Sequence, residues 1–215
     1  MATKQLCKYE ERVKVFCYEK SAEKQMVREF ILNHIPSDCA KVLTLSADNF
    51  NFENMVLNSR FSKNPVIDSY EYKEDVYKKG LENFKKLKKE HEQRELNFYL
   101  GDIFSVDFKS YNFINLDLCG SFTIDLVNRL IISLQRGFNG TIFITMTKNV
   151  RNTLLRNHLD IYGVKTMQEF RDDVFPNLMK YYCDLDMFVE PLMYKNKSEN
   201  TKATEMVLFG FKKVA

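Results

Sequence analysis

Four carboxylates stand where short apolar runs of this chain end. Glu71 follows "VIDSY", Asp102 follows "LNFYLG" and Asp117 follows "YNFINL". The fourth, Asp48, comes two residues after Ser46, which closes "VLTLS". An ionised carboxylate offers two acceptor oxygens and no donor. It therefore suits partners rich in N–H and O–H groups: the paired hydroxyls of a sugar, the exocyclic amine of a base, an ammonium. A single Asp in such a place is ordinary, because it often caps the next helix. A series at four successive run ends is more than capping requires.

Those acids need elements to hold them. The runs at 41–46, 65–70, 96–100, 111–116 and 141–146 read as strands. Helical spacing falls between them at 52–59, 74–92 and 123–135, the last capped by Thr123. Upstream, 8–35 reads as helix in two pieces. The second opens at Ser21, carries Met26, Val27, Phe30 and Ile31 on its apolar side, and stops at Pro36. Downstream, 149–182 reads as further helix, broken at Tyr162-Gly163 and at Pro176. The runs 187–194 and 205–212 then form a hairpin across the polar "KNKSENTKAT". Strands alternating with helices predict an α/β fold, a mostly parallel sheet covered on both faces. In open sheets of this kind ligands lie beyond the carboxyl ends of the strands, where the four acids are.

Composition narrows the class. A chain of 215 residues with 45% hydrophobic side chains suits one folded domain. We divide it into a helical extension, 1–37, and an α/β domain, 38–215. The five cysteines are scattered and form no CxxC pair, which argues against a zinc site and against a disulfide framework. No metal is expected. Cys119 reads as a small buried hydrophobe. The opening segment has no apolar core of a signal peptide, and no apolar run approaches the ~18 residues of a membrane span. The expectation is a cytoplasmic protein without a membrane partner; its oligomeric state is left open. Abundant Lys, Asn and Phe fit an AT-rich genome, viral ones included. The three histidines share no motif, and neither a Walker loop nor a Ser-His-Asp pattern is present.

At "VIDSYEYKEDVYKKGLENF", "LNFYLGDIF", "YNFINLDLCG" and the terminal "TEMVLFGFKK", the chain resembles the class I S-adenosylmethionine-dependent methyltransferases. The resemblance covers about residues 38–213. It implies a Rossmann-like seven-stranded sheet in the order 3-2-1-4-5-7-6, mostly parallel with an antiparallel last strand, and S-adenosyl-L-methionine as cofactor. Carried over, Glu71 with Tyr72 holds the ribose, Asp102 with Ile103 meets the adenine edge, and Asp117 lies beside the methionine end or the methyl acceptor, as catalytic group. The family's glycine-rich first loop is replaced by "SADNFNFE". Ser46, Ala47 and Asp48 then take its place, and Glu53 on the next helix is a candidate for the cofactor's ammonium.

Basic residues near the expected carboxyl edge point to a nucleic-acid acceptor, DNA or RNA. Lys148, Arg151 and Arg156 follow the fifth strand, and Lys195 and Lys197 sit in the terminal loop. The net charge of only +3 does not by itself demand such a partner. The glycine-free loop keeps a second function open: a methyltransferase-like module that binds or scaffolds without catalysis.

Overall fold

Val, Ile, Leu and Phe dominate the predicted strands, and such side chains favour a pleated, half-buried surface. In the computed structural model, which describes residues 22–121, 123–135, 137–148, 159–196 and 204–213, they form one seven-stranded sheet. The strands are β1 (Lys41–Leu45), β2 (Val66–Glu71), β3 (Leu96–Leu100), β4 (Phe113–Ser121), β5 (Thr141–Thr147), β6 (Leu185–Asn196) and β7 (Thr204–Lys213). Their order is β3-β2-β1-β4-β5-β7-β6. The first five run parallel, and β7 is antiparallel to both β5 and β6. This is the Rossmann-like methyltransferase order that the resemblance implies.

The helices are α1 (Ala22–Leu32), α2 (Asn51–Asn58), α3 (Glu74–Glu90) and α4 (Ile124–Leu134). A fifth, α5, is built from Met167–Glu169, a π-helical segment Phe170–Val174 and Phe175–Cys183. Helices α1, α2 and α3 share one sheet face, where Val27, Ile31, Phe52, Val56 and Leu87 pack on Val42, Ile67, Phe113 and Phe143. Helices α4 and α5 cover the other, where Val127, Leu130, Phe175 and Met179 pack on Leu43, Ile114, Ile142 and Ile144. Between β3 and β4 the chain makes only two 3-10 turns, Ile103–Ser105 and Phe108–Ser110.

Helix α1 turns a different side inward from the one its hydropathy predicts. Met26, expected on its apolar side, is 63% exposed. The buried residues of this helix are Lys24, Val27, Arg28 and Ile31. Phe30 in its last turn and His34 just beyond it sit against Phe143, with ring centroids 6.2 and 5.7 Å away. The first turn therefore lies at the opposite, carboxyl end of the strands, and two cations occupy the inward side there. The expected helix before residue 22 lies outside the described residues, as do Ser21, His158 and residues 149–157.

Candidate functional site

Side chains alternate along a strand, so every second residue faces the same helices. On the α1–α3 face the alternation runs Val42 and Thr44 on β1 with Ser46 just beyond it; Ile67, Ser69, Glu71 on β2; Phe113, Asn115, Asp117 on β4; and Phe143, Thr145, Thr147 on β5. Each series begins apolar at the amino end and becomes polar at the carboxyl end. Thr44, Ser46, Ser69, Asn115, Thr145 and Thr147 are nonetheless buried, as are Lys24 and Arg28 on α1 and Glu53 on α2. Burying polar groups is costly unless they find partners. Concentrated on half of one face, they mark where this fold departs from a purely apolar interior.

The loop from β1 to α2 is shaped without glycine. Phe50 takes the left-handed conformation at φ 51 and ψ 34, where a side chain is disfavoured. Its ring is fully buried and meets Phe98 edge-on at 4.8 Å and Phe84 at 5.8 Å. Gly80 makes room for this packing, since a Cβ there would lie 3.2 Å from Phe98 and 3.5 Å from Phe50. One turn on, Glu53 Oε1 accepts hydrogen bonds from Ser46 Oγ at 2.6 Å and Ser69 Oγ at 3.2 Å. The structure thus turns Glu53 into the sheet, as a clasp between β1, β2 and α2. Asn83 Nδ2 on α3 donates to the Asp48 carbonyl at 2.8 Å. The loop's path is set by three side-chain anchors, none of which a sequence search for glycines would find.

The strand-end acids fall where expected along the edge. Glu71 is the last residue of β2. The Lys73 N–H donates to its Oε1 at 2.8 Å, and burial, outweighing that bond, pushes its pKa above the ordinary value. Tyr72 beside it is 67% exposed. Asp102 caps the turn after β3 by accepting from the Phe104 N–H at 3.1 Å, and its Oδ2 pairs with Arg129 of α4. The Ile103 side chain is buried in the core on the α4 side. Asp117 accepts from the Lys24 ammonium at 2.9 Å.

Two lysine–carboxylate pairs therefore stand at this edge. Lys24–Asp117 is the first, joining α1 to β4. The second joins the end of β5 to the start of β7: Lys148 Nζ lies 3.1 Å from Glu205 Oε2, and the Lys148 N–H donates to the Glu205 carbonyl at 2.8 Å. Lys148 is three residues beyond Thr145, the cross-strand neighbour of Asp117. Lys24 and Glu205 were not singled out in the sequence. The signal for Lys24 was its spacing of four from Arg28, with Val27 and Ile31 on the same side of the helix. Lys195 lies on β6, while Arg151, Arg156 and Lys197 fall outside the described residues.

Two buried oxygens on this half of the molecule, Asp48 Oδ1 and Asn115 Oδ1, accept no hydrogen bond from the described residues. They are acceptors suited to a donor-rich ligand. With three acids at strand ends, the residues present fit a cofactor that brings an ammonium, a ribose diol and an aminopurine. Among the described residues no group of three His, Cys, Asp or Glu side chains is placed to hold a metal ion. No helix among them is long and apolar enough to cross a membrane.

No family model and no curated protein matches this sequence. Solved structures do match in fold. One is M. jannaschii TYW2 in complex with AdoMet, at a TM-score of 0.55 and 13% identity over 92% of this chain and 79% of that one. A second is the small RNA methyltransferase HEN1, with a TM-score of 0.59 and 11% identity, covering 90% of this chain and 26% of that one. A third is geranyl diphosphate C-methyltransferase from Streptomyces coelicolor A3(2), in complex with Mg2+, geranyl diphosphate and S-adenosyl-L-homocysteine. It has a TM-score of 0.56 and 9% identity over 89% of this chain and 79% of that one. At such identities the likeness establishes a shared fold.

Proposed function

We propose that this chain is an S-adenosyl-L-methionine-dependent methyltransferase acting on a hydroxyl of a nucleic acid. The observation that carries the reading is the pair of lysine–carboxylate contacts, Lys24–Asp117 and Lys148–Glu205, beside a row of strand-end acids. Similar folds hold AdoMet or its demethylated product, and one of them is named a small RNA methyltransferase.

In this reading Glu71 accepts from the ribose hydroxyls and Asp102 from the adenine amine. Asp48 and Ser46 line the methionine end, and Glu53 holds Ser46 in place. The cofactor supplies an electrophilic methyl group. The protein's task is to align an acceptor oxygen with it and to take the acceptor's proton. A hydroxyl is a poor nucleophile until that proton leaves. A carboxylate can accept it, and the adjacent lysine ammonium stabilises the negative charge that develops on the acceptor oxygen. Asp117 and Glu205 are placed for the first role, Lys24 and Lys148 for the second. Inside a nucleic-acid strand the available hydroxyl is the ribose 2′-OH, which favours RNA over DNA. Lys195, Lys197, Arg151 and Arg156 are the candidates for tracking the phosphates.

The test is transfer of tritium from labelled cofactor onto RNA, DNA and lysate fractions, alongside calorimetry with S-adenosyl-L-homocysteine. Label on RNA that falls at least about a hundredfold in Lys24→Met and Asp117→Ala, the range general acid–base groups supply, supports the reading. Label on small metabolites alone defeats the nucleic-acid acceptor. Homocysteine-product binding weakened by Glu71→Ala, with no label on any fraction, favours the non-catalytic module. No binding at millimolar ligand defeats the cofactor itself.

A further inference from the structure

Resting on that cofactor reading, we infer that Arg129 sets the choice of base at the nucleobase end: it stands between Asp102 and an incoming purine and makes the pocket's edge respond to the group at the purine 6-position. Three observations carry this. Both oxygens of Asp102 are engaged by the chain itself, Oδ1 by the Phe104 N–H at 3.1 Å and Oδ2 by the Arg129 guanidinium. The guanidinium carbon also sits 4.5 Å from the centre of the Phe104 ring, so the cation is held over an aromatic two residues from the acid. And the pair is open to water, with the Arg129 and Asp102 side chains 41% and 52% exposed.

An exposed ion pair of this kind is weak and readily exchanged. A 6-amino group donates a proton, so it needs an oxygen of Asp102 and must draw Oδ2 away from Arg129. A 6-carbonyl group accepts, so it repels Asp102 and is drawn to Arg129 instead. One acid and one guanidinium side by side thus present both a donor and an acceptor. Removing the guanidinium charge frees Oδ2 of Asp102 as an acceptor, which sharpens selection for the amino purine. Among the described residues Arg129 is the charged side chain paired with Asp102, and Phe104 contributes its ring and backbone N–H.

The experiment compares S-adenosyl-L-homocysteine with S-inosyl-L-homocysteine, its deaminated counterpart, by calorimetry on the full chain. The proteins are wild type, Arg129→Gln, Arg129→Lys and Asp102→Asn. Arg129 is half-exposed on a helix surface, so its replacement leaves the core intact, and thermal unfolding of each variant confirms it. Arg129→Gln should bind the adenine ligand about threefold to fivefold more tightly and the inosine ligand more weakly, raising the ratio of the two affinities about tenfold. Arg129→Lys should stay near wild type, and Asp102→Asn should collapse the ratio toward one. An unchanged ratio in Arg129→Gln, or an equal loss for both ligands, overturns the inference while leaving the cofactor reading in place. Failure of wild type to bind either ligand overturns both.

Discussion

The two faces of the sheet are built differently although the same strands make them. Under α4 and α5 the inward positions of the central strands are apolar along their length: Leu43 and Leu45 on β1, Ile114, Leu116 and Leu118 on β4, Ile142, Ile144 and Met146 on β5. Under α1 and α2 the same strands are apolar only at their amino halves and then carry Thr44, Ser46, Asn115, Asp117, Thr145 and Thr147. The difference separates two jobs. One face is free to maximise apolar burial, which scales with area removed from water. The other gives up apolar contact at one end in order to hold charges, and it does so with a clasp at Glu53, ion pairs and a strained residue.

That contrast predicts opposite responses from neighbours in sequence. Leu116 and Asp117 are consecutive but face opposite helices. Leu116→Ala should cost about 2–5 kcal/mol in urea unfolding, the range for a large-to-small change in a packed core. Affinity of the folded protein for S-adenosyl-L-homocysteine should stay within about twofold. A large loss of affinity at unchanged stability would erase the division between the faces.

The clasp gives the next largest effect. Glu53→Ala strands the Ser46 and Ser69 hydroxyls in a buried site, at a cost of roughly 2 kcal/mol. Because Ser46 directly follows β1, the loop it opens should loosen and cofactor affinity should drop about tenfold. Glu53→Gln keeps an acceptor oxygen toward the serines and should lose less than half of either quantity. Equal damage from Gln and Ala would mean that the charge, not the hydrogen bonds, matters there.

How far the site could be read from the chain depends on which face is asked about. Strand positions and strand-end acids were legible because period-two alternation and apolar runs are local signals. Glu71, Asp102 and Asp117 lie at the carboxyl edge for that reason. What was not legible is long-range or conformational. Lys24 reaches Asp117 across 93 residues of sequence, and hydropathy alone, which ranks Met above Lys, puts Met26 rather than Lys24 on the inward side of its helix. The partnership of Lys148 with Glu205 depends on the antiparallel register of β5 and β7. Nothing in "SADNFNFE" indicates that Phe50 adopts positive φ, since Phe is among the residues least suited to it.

Phe50 tests the idea that strain is tolerated where packing over-determines it. Ordinarily Ala outranks Gly in stability. At φ 51 the order should invert. Both Phe50→Ala and Phe50→Gly lose the ring buried against Phe84 and Phe98, but only Ala retains a Cβ in the left-handed region. Phe50→Gly should therefore be the more stable of the two by about 1 kcal/mol. Ala equal to or above Gly in chemical denaturation would mean the loop relaxes out of this conformation once the ring is gone.

The smallest effect is a pH dependence, and its two halves run in opposite directions. Burial raises the pKa of Glu71 above its ordinary value, while the Lys73 N–H and charge and the Tyr72 N–H pull it down and the Asp75 carboxylate pushes it up. A carboxyl group with a raised folded pKa binds its proton more tightly in the folded state. Its contribution to stability is fully present below the ordinary value and is lost as pH rises through the folded one. Binding behaves the other way. The ionised carboxylate offers only acceptors to the ribose hydroxyls, and protonation turns one of them into a donor. Lowering the pH from 7.5 to 5 should weaken S-adenosyl-L-homocysteine binding about threefold, a fraction of one hydrogen bond to a charged group, while leaving the fold slightly more stable. In Glu71→Gln the affinity should be low and flat over the same range, because no titrating group remains at the end of β2. Parallel slopes in the two proteins would place the titration elsewhere on the edge and remove Glu71 from the ribose contact.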